Sequence, residues 1–559
     1  MAEPTINLGG GNWAGKSDNL LGYYKEGERF YKQDFTFSRS TTGTYTDSDG
    51  YIQEMPYNLL QQSNQFDTTW TLSAGIDLTS GQSGYDGTNN AWLLKRNTTG
   101  ARYVQQSLTR PSGQYSFSVY LKAESTDWSY IWAYDGSTTV NAYFDLNNGV
   151  VGNTSGLDST NVVSVGNDWY RCTITFTQAI TSVRIYPAYA NGSISTGTDN
   201  GIYIQDAQLV KGTSAKTYFP TTTRLNMPRV DYLNNSNGSL ILEPQRTNNF
   251  PNSSDFSIFT VASAGTGTNP TITSNYSISP DGNQNADRII FDRGTGTTGG
   301  DTSYITYNLS LGTIDSTLSI YLKTNDETTK DVTLRLGAAL FDYDVTVTSQ
   351  WQRFTLNGNT NVDRVQILLY GNQNSQTADL SCYGLQIEQG SYPTTLINTS
   401  GSSVTRNADA CELTNVADRI GQTEGTLYGE FDFKDHSTGT RRLLCLTDGT
   451  STNRITTYVN TLDKLSVYIV NGGAAQADIQ ATILTEGIIK YAVAYANNSI
   501  KLYLNGTQVG TDTSATIPST SDFLVGFEHS GSSSYFNWRN CQLYSTALTD
   551  SELATLTTL

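Results

Sequence analysis

The feature that most constrains this chain is an alternation of apolar and polar residues with period two, recurring in short runs. Residues 115–123 (YSFSVYLKA), 171–178 (RCTITFTQ), 182–190 (SVRIYPAYA), 316–324 (STLSIYLKT), 364–370 (RVQILLY), 464–470 (KLSVYIV) and 501–506 (KLYLNG) all show it. Successive side chains of a strand point to opposite faces, so each run predicts a strand with one buried and one wet face. Between the runs lie Thr, Ser, Asn and Gly, which favour turns. One helix signal stands out, TDSELATLTTL at 549–559, where Thr549 and Glu552 form a capping box. Many short strands with Gly-rich turns predict an all-β chain of sandwiches or jelly rolls.

The runs are also repeated. NLLQQSNQFDTTW (58–70) pairs with NNFPNSSDFSIF (248–259), and YDGTNNA (85–91) with PDGNQNA (280–286). SVYLKA (118–123) pairs with SIYLKT (319–324), DWYR (168–171) with QWQR (350–353), and AQLVKGTSAKTYFPTT (207–222) with LQIEQGSYPTT (385–395). Five landmarks in one order identify two copies of one sandwich module, residues 51–222 and 248–405. Lys122 and Trp169 are 47 positions apart and Lys323 and Trp351 are 28, so copy one is longer there by 19 residues. Residues 223–247 carry Pro228 and Pro244 and lie between Pro220 and Pro251, which predicts an extended connector with at most one edge strand. Residues 406–559 hold no copy of the repeat and form a third domain. Residues 1–50 fit neither module and are assigned to attachment or oligomerisation.

Composition narrows function. The 559 residues carry 34 Lys and Arg against 51 Asp and Glu, a net charge of -17, which argues against nucleic-acid binding. Two histidines and five cysteines argue against a polynuclear metal centre, and no cofactor or metal is expected. No apolar stretch is long enough to span a membrane, and the N-terminus lacks the basic and apolar regions of a signal peptide. The odd, widely spaced cysteines (172, 382, 411, 445, 541) are expected to be free thiols of a protein made in a reducing cytoplasm.

Residues 35–67 (FTFSRSTTGTYTDSDGYIQEMPYNLLQQSNQFD) and 226–248 (NMPRVDYLNNSNGSLILEPQRTN) resemble segments of bacteriophage tail-fibre and virion-appendage proteins. In that family they introduce carbohydrate-binding-like jelly rolls. GTLYGEFDF (425–433), LLCLTDGTSTNRI (443–455), YAVAYANNSIKLYLNGTQVG (491–510) and NWRNCQLYSTALTDSELATL (537–556) are similar to the laminin-G and concanavalin A-like lectin/glucanase superfamily. The resemblance implies two jelly rolls followed by a concanavalin A-like sandwich. It also implies a place on a virion made in a bacterial cytoplasm, whether as tail fibre, head fibre or capsid decoration.

The binding candidate is DWSYIWAYDG (127–136), where alternation places Trp128, Tyr130, Trp132 and Tyr134 on one face. Tyr120 with Tyr321 and Gly136 with Gly337 align at one offset, 201, so the aromatics match Thr329, Asp331, Thr333 and Arg335. The other face matches Lys330, Val332, Leu334 and Leu336. In copy two the Val-Leu-Leu face must be the core, so in copy one the aromatics point away from the core. Outward aromatics suit pyranose stacking. The alternative is a stripe covered by the extra residues of copy one or by a neighbouring subunit.

Catalytic candidates are weaker. Glu430, Asp432 and Asp435 resemble the E-x-D-x-x-E strand of concanavalin A-like glucanases, in which two Glu flank the glycosidic bond, with Asp in the last place here. The plainer reading has Phe431 and Phe433 in the core and the acids in water. His436 and His529 lack a nucleophile elbow and are read as surface residues. Asp448 and Asn453 in TDGTSTNR (447–454) offer oxygens to calcium, although Asp-Gly is a turn dipeptide.

These readings converge on a non-enzymatic virion protein that adheres to host-surface glycan. Its expected partners are other virion proteins through the N-terminal segment and further copies of itself, a trimer being common among phage fibres. Nucleic acid and membrane insertion are not expected. Two alternatives are a purely structural appendage and a glucanase-type polysaccharide depolymerase.

Overall fold

The computed structural model describes residues 2–11, 13, 15–16, 19–26, 29–55, 58–221, 227–337, 342–434, 439–528 and 534–559. The protein is almost wholly β, and among the described residues the one helix is Asp550–Thr557. That helix is capped as its sequence predicts, the Thr549 side chain accepting from the Glu552 N–H and the Glu552 side chain from the Thr549 N–H. The chain divides into two compact units, Pro56–Arg224 and a second made of Met1–Met55 with Leu225–Leu559.

Pro56–Arg224 is built on two strands of 20 residues, Val104–Ala123 and Trp169–Ala188, paired antiparallel along their length with register shifts between Ser107 and Gly113. The first half of Trp169–Ala188 pairs on its free side with Ser159–Gly166, and the second half with Trp128–Tyr134. The long strands therefore belong to two layers at once, and the irregularity between them is where the sheet bends. Phe117, Val119, Leu121, Ile131, Ala133, Ile174, Phe176, Val183 and Ile185 fill the space enclosed. Strands Val150–Ser155 and Ser159–Gly166 lie where copy one is longer. They widen the two layers, the former pairing with Thr139–Asp145. The extra residues thus extend the sheet as paired strands, and Gly152 among them packs against Trp128.

Copy two forms two five-stranded sheets around Leu318, Ile320, Leu322, Val332, Leu334 and Leu336. The repeat is visible in individual hydrogen bonds. Asn58 donates to Ala207 O and Phe219 O and accepts from Leu60 N–H and Leu209 N–H. Asn248 donates to Leu385 O and Ile397 O and accepts from Phe250 N–H and Ile387 N–H. Arg171 lies 5.5 Å from the centre of the Tyr120 ring and donates to Ser118 and Lys216 O. Arg353 lies 5.4 Å from that of Tyr321 and donates to Ser319 and Thr394 O.

The C-terminal sandwich corrects two expectations. Residues 1–50 are not a separate attachment segment, because Ile6–Gly9 pairs with Phe536–Tyr544 and Arg29–Ser38 pairs with Ala410–Leu413. The Pro-rich segment 223–247 is, over its described residues 227–247, more than an extended connector with one edge strand, because Arg229–Asp231 and Ser239–Leu242 form a hairpin whose second strand also pairs with Phe536–Tyr544. The reason is burial: Ile6, Leu8, Phe35, Phe37, Leu240 and Leu242 all sit in the core beside Phe431, Phe433 and Trp538. Residues 406–559 are therefore completed by strands from far upstream.

The same unit holds a buried ionic cluster. Asp409 pairs with Arg39 at 2.9 Å and Arg229 at 2.5 Å, and Glu243 pairs with Arg229 and Arg406, each at 2.7 Å. Burial raises the Glu243 carboxyl, but the guanidinium groups of Arg406 and Arg229 outweigh it and hold the group at about 2.

Candidate functional site

The stripe stands off the core as the repeat implied. Ile131 and Ala133 belong to the core of Pro56–Arg224, whereas Trp128, Tyr130 and Trp132 pack in a separate layer with Tyr103, Tyr143 and Tyr186. Strand register places these rings: Tyr130 lies opposite Tyr143 on one side and Tyr186 on the other, with ring centres 4.5 and 5.2 Å away. Tyr130 is consequently 9% exposed and supports the layer without forming its surface. Trp128 is half-buried, and a Cβ on Gly152 would lie 2.6 Å from its ring. Trp132 and Tyr134 are also half-buried, and their rings stack with centres 5.5 Å apart and planes at 19°.

Arg184, opposite Trp132 in the register, fixes this pair. Its guanidinium lies 3.9 Å from the centre of the Tyr103 ring and 4.4 Å from that of Trp132, and it donates to Gln105 and, at 3.1 Å, to the Tyr186 hydroxyl. Each cation–π contact contributes about 0.5–2 kcal/mol, so Trp132 is held before any ligand arrives. The Tyr134 hydroxyl donates to Gly136 O at 2.6 Å. Burial raises Tyr130 and takes Tyr186 up to about 12 although Arg184 pulls it down, so both phenols stay neutral near pH 7. On the flank away from Arg184, Asn141 lies opposite Trp132 and Ser155 opposite Asn141, and neither side chain is hydrogen-bonded within the protein. The face thus presents two stacked, near-parallel rings, a fixed cation and an open amide and hydroxyl. It can hold a flat apolar ring face and bond its polar edge.

Sequence reasoning missed Arg184, Tyr186 and Tyr143. The alternation in SVRIYPAYA carried the signal for the first two, since Val183 and Ile185 in the core force Arg184 and Tyr186 onto the aromatic face. In copy two the equivalent face is polar: Thr333 donates to Asp344, Arg335 pairs with Asp342, and Thr346 donates to Asp331.

Among the described residues the other candidates are engaged in packing, pairing or turns. Phe431 and Phe433 are core residues, Glu430 accepts from the Tyr428 hydroxyl at 3.1 Å, and Asp432 pairs with Arg539 at 2.8 Å. Asp435, His436 and His529 lie outside the described residues. Asp448 is engaged within its own turn, accepting from Thr450 N–H and hydroxyl and from Asn453. All five cysteines are buried and free.

Residues 420–554 match the laminin-G sequence family described as the concanavalin A-like lectin/glucanases superfamily. No curated protein matches the chain. Among solved structures, the carbohydrate-binding module (CBM40) of the Ruminococcus gnavus IT-sialidase is 18% identical over 24% of this chain and 84% of its own, with a TM-score of 0.22. The tandem CBM22 domains of Paenibacillus barcinonensis Xyn10C are 13% identical over 59% of this chain and 97% of their own, with a TM-score of 0.19. Mouse laminin α1 domains LG4-5 are 10% identical over 46% and 90%, also with a TM-score of 0.19. At such scores none of the three bears on function.

Proposed function

We propose that the protein is a non-enzymatic glycan-binding protein whose unit Pro56–Arg224 holds saccharide on the Trp132–Tyr134 face. The observation that carries this reading is the near-parallel ring pair on a sheet face turned from the core, with Arg184 locking one ring. The lectin-like family of residues 420–554 is consistent with it. Attachment to a virion and adhesion to a host surface rest on the resemblance of residues 35–67 and 226–248 to phage appendages. Binding at one face would be weak, and many copies on one particle would make it effective.

The test is a titration of the intact protein on a glycan array beside a Trp132→Ala/Tyr134→Ala variant. The expected result is selective binding that falls by about tenfold or more in the variant, the equivalent of about 1.4 kcal/mol, with no reducing ends released from the bound glycan. Binding kept in full by the variant would move the site elsewhere. Absence of binding at any displayed valency would make the face a packing surface for a protein.

A further inference from the structure

A second face of Pro56–Arg224 lies where Ser159–Gly166 joins the first half of Trp169–Ala188 and the second half of Val104–Ala123. Pairing sets out its rows: Ser159 beside Thr175 beside Ser116, Asn161 beside Thr173 beside Ser118, and Val163 beside Arg171 beside Tyr120. The alternate residues Cys172, Ile174 and Phe176 fill the core, so these rows point away from it. The segment Thr213–Ala215 closes the other side, and the groove between encloses about 480 Å³. That volume lies within the range of small-molecule sites.

The chemistry of the lining is specific. Among the described residues no carboxylate lines the groove. The side chains of Ser159, Asn161, Thr173, Thr213 and Ser214 line it and make no hydrogen bond within the protein. A hydroxyl both donates and accepts, and a carboxamide does the same through two atoms. Val163, 47% exposed, and Val165 add aliphatic surface. Arg171 is held by Ser118 and Lys216 O, just as Arg353 is by Ser319 and Thr394 O, so its position belongs to the module's scaffold.

Copy two serves as an internal control. Gln352–Asn361, the counterpart of the first half of Trp169–Ala188, pairs only with Thr313–Thr324 among the described residues. The wall that Ser159–Gly166 supplies has no equivalent there, and Asn357, which takes the place of Thr175, is already bonded to Ser391 O at 2.8 Å. Among the described residues the groove is therefore peculiar to copy one, because one of its walls, Ser159–Gly166, has no counterpart in copy two.

We infer that this groove is a second binding site, for one or two rings of an uncharged saccharide. Open hydroxyl and amide groups on one side, aliphatic carbons on the other and no carboxylate among the described lining residues match a polyol ring and disfavour a cationic ligand. The inference stands on different residues from the Trp132–Tyr134 face and does not need that face to bind.

The experiment titrates the full chain with neutral tetrasaccharides of gluco, manno, galacto and xylo configuration, followed by calorimetry and by saturation-transfer NMR. Two groove variants are compared with the wild type: Val163→Trp, which fills the groove from an exposed edge strand that tolerates aromatics, and Asn161→Ala, which removes the open amide. The Trp132→Ala/Tyr134→Ala variant reports the other face. The expected result is that at least one tetrasaccharide binds, and that both groove variants weaken it by about tenfold while the face variant leaves that component in place. The inference is overturned if no tetrasaccharide binds the wild type, or if both groove variants bind every tetrasaccharide as the wild type does. A loss confined to the face variant would overturn it and leave the proposed function standing.

Discussion

Among single residues, Asp206 is the most unusual. Its φ of 54° is left-handed, a region Asp tolerates better than most residues but Gly occupies freely, and its counterpart in copy two is Gly384 with φ 65°. Asp206 is 6% exposed and accepts from the Tyr85 hydroxyl at 2.9 Å, while the Tyr85 ring stacks on Tyr120 at 3.9 Å. Burial pushes its carboxyl up to about 6, against the hydrogen bonds of Tyr85 and Tyr218. A carboxyl raised above its unfolded value of about 4 favours the folded state fully below that pH, and the benefit is lost as pH rises through the folded value. Asp206→Asn should therefore match the wild type near pH 4 and exceed it near pH 7 by about 3 kcal/mol. Denaturant unfolding of both proteins at stepped pH checks this, and parallel curves would refute it. The direction of the aromatic stripe was legible in the sequence because Val332, Leu334 and Leu336 announce the core face of the other copy. The role of Asp206 was not, because its partners Tyr85 and Tyr218 lie 121 and 12 residues away and no local pattern ties them together.

Within an element, the two copies give matched experiments. Asn58 and Asn248 each bind two backbone carbonyls and two N–H groups inside a closed module. Removing such a side chain strands buried polar groups at a cost of about 1–3 kcal/mol each. Asn58→Ala and Asn248→Ala should thus each destabilise their own copy by about 3 kcal/mol or more. Chemical denaturation followed by amide exchange would show protection lost in one copy and kept in the other. Equal loss in both would mean that the anchors do not act locally. The same scale explains what the sequence hid. Runs of alternation showed that strands exist, and the repeat showed which belong to a module. Ile6–Gly9 finds its partner more than 500 residues away in Phe536–Tyr544, and an alternating tetrapeptide says nothing about which edge it will cover. Ser239–Leu242, among prolines that read as a connector, went unrecognised as a core strand for the same reason.

Across the whole chain, the ionic cluster is the joint of the larger unit. Arg39 follows the N-terminal strand Arg29–Ser38, Arg229 opens the hairpin before copy two and Glu243 follows it, and Arg406 and Asp409 lead into the C-terminal sandwich. Each charge has lost its water, so attraction among them mostly offsets desolvation, and removing one partner leaves others buried and unpaired. Asp409→Asn neutralises the group that pairs with both Arg39 and Arg229, and the expected cost is about 3–5 kcal/mol. Because the chain forms two compact units, calorimetry should resolve two transitions, and this variant should lower the one that belongs to Met1–Met55 with Leu225–Leu559. Acid acts on the same joint. Glu243, held at about 2 in the folded state against about 4.3 when unfolded, contributes fully above the higher value and loses that contribution as pH falls towards the lower. The wild-type transition of the larger unit should therefore move down with acid over that window, and Asp409→Asn should meet acid from a lower starting point. A variant that melted as the wild type does would show that the strands from both ends are joined by the apolar core alone, with the buried charges contributing orientation and no net stability.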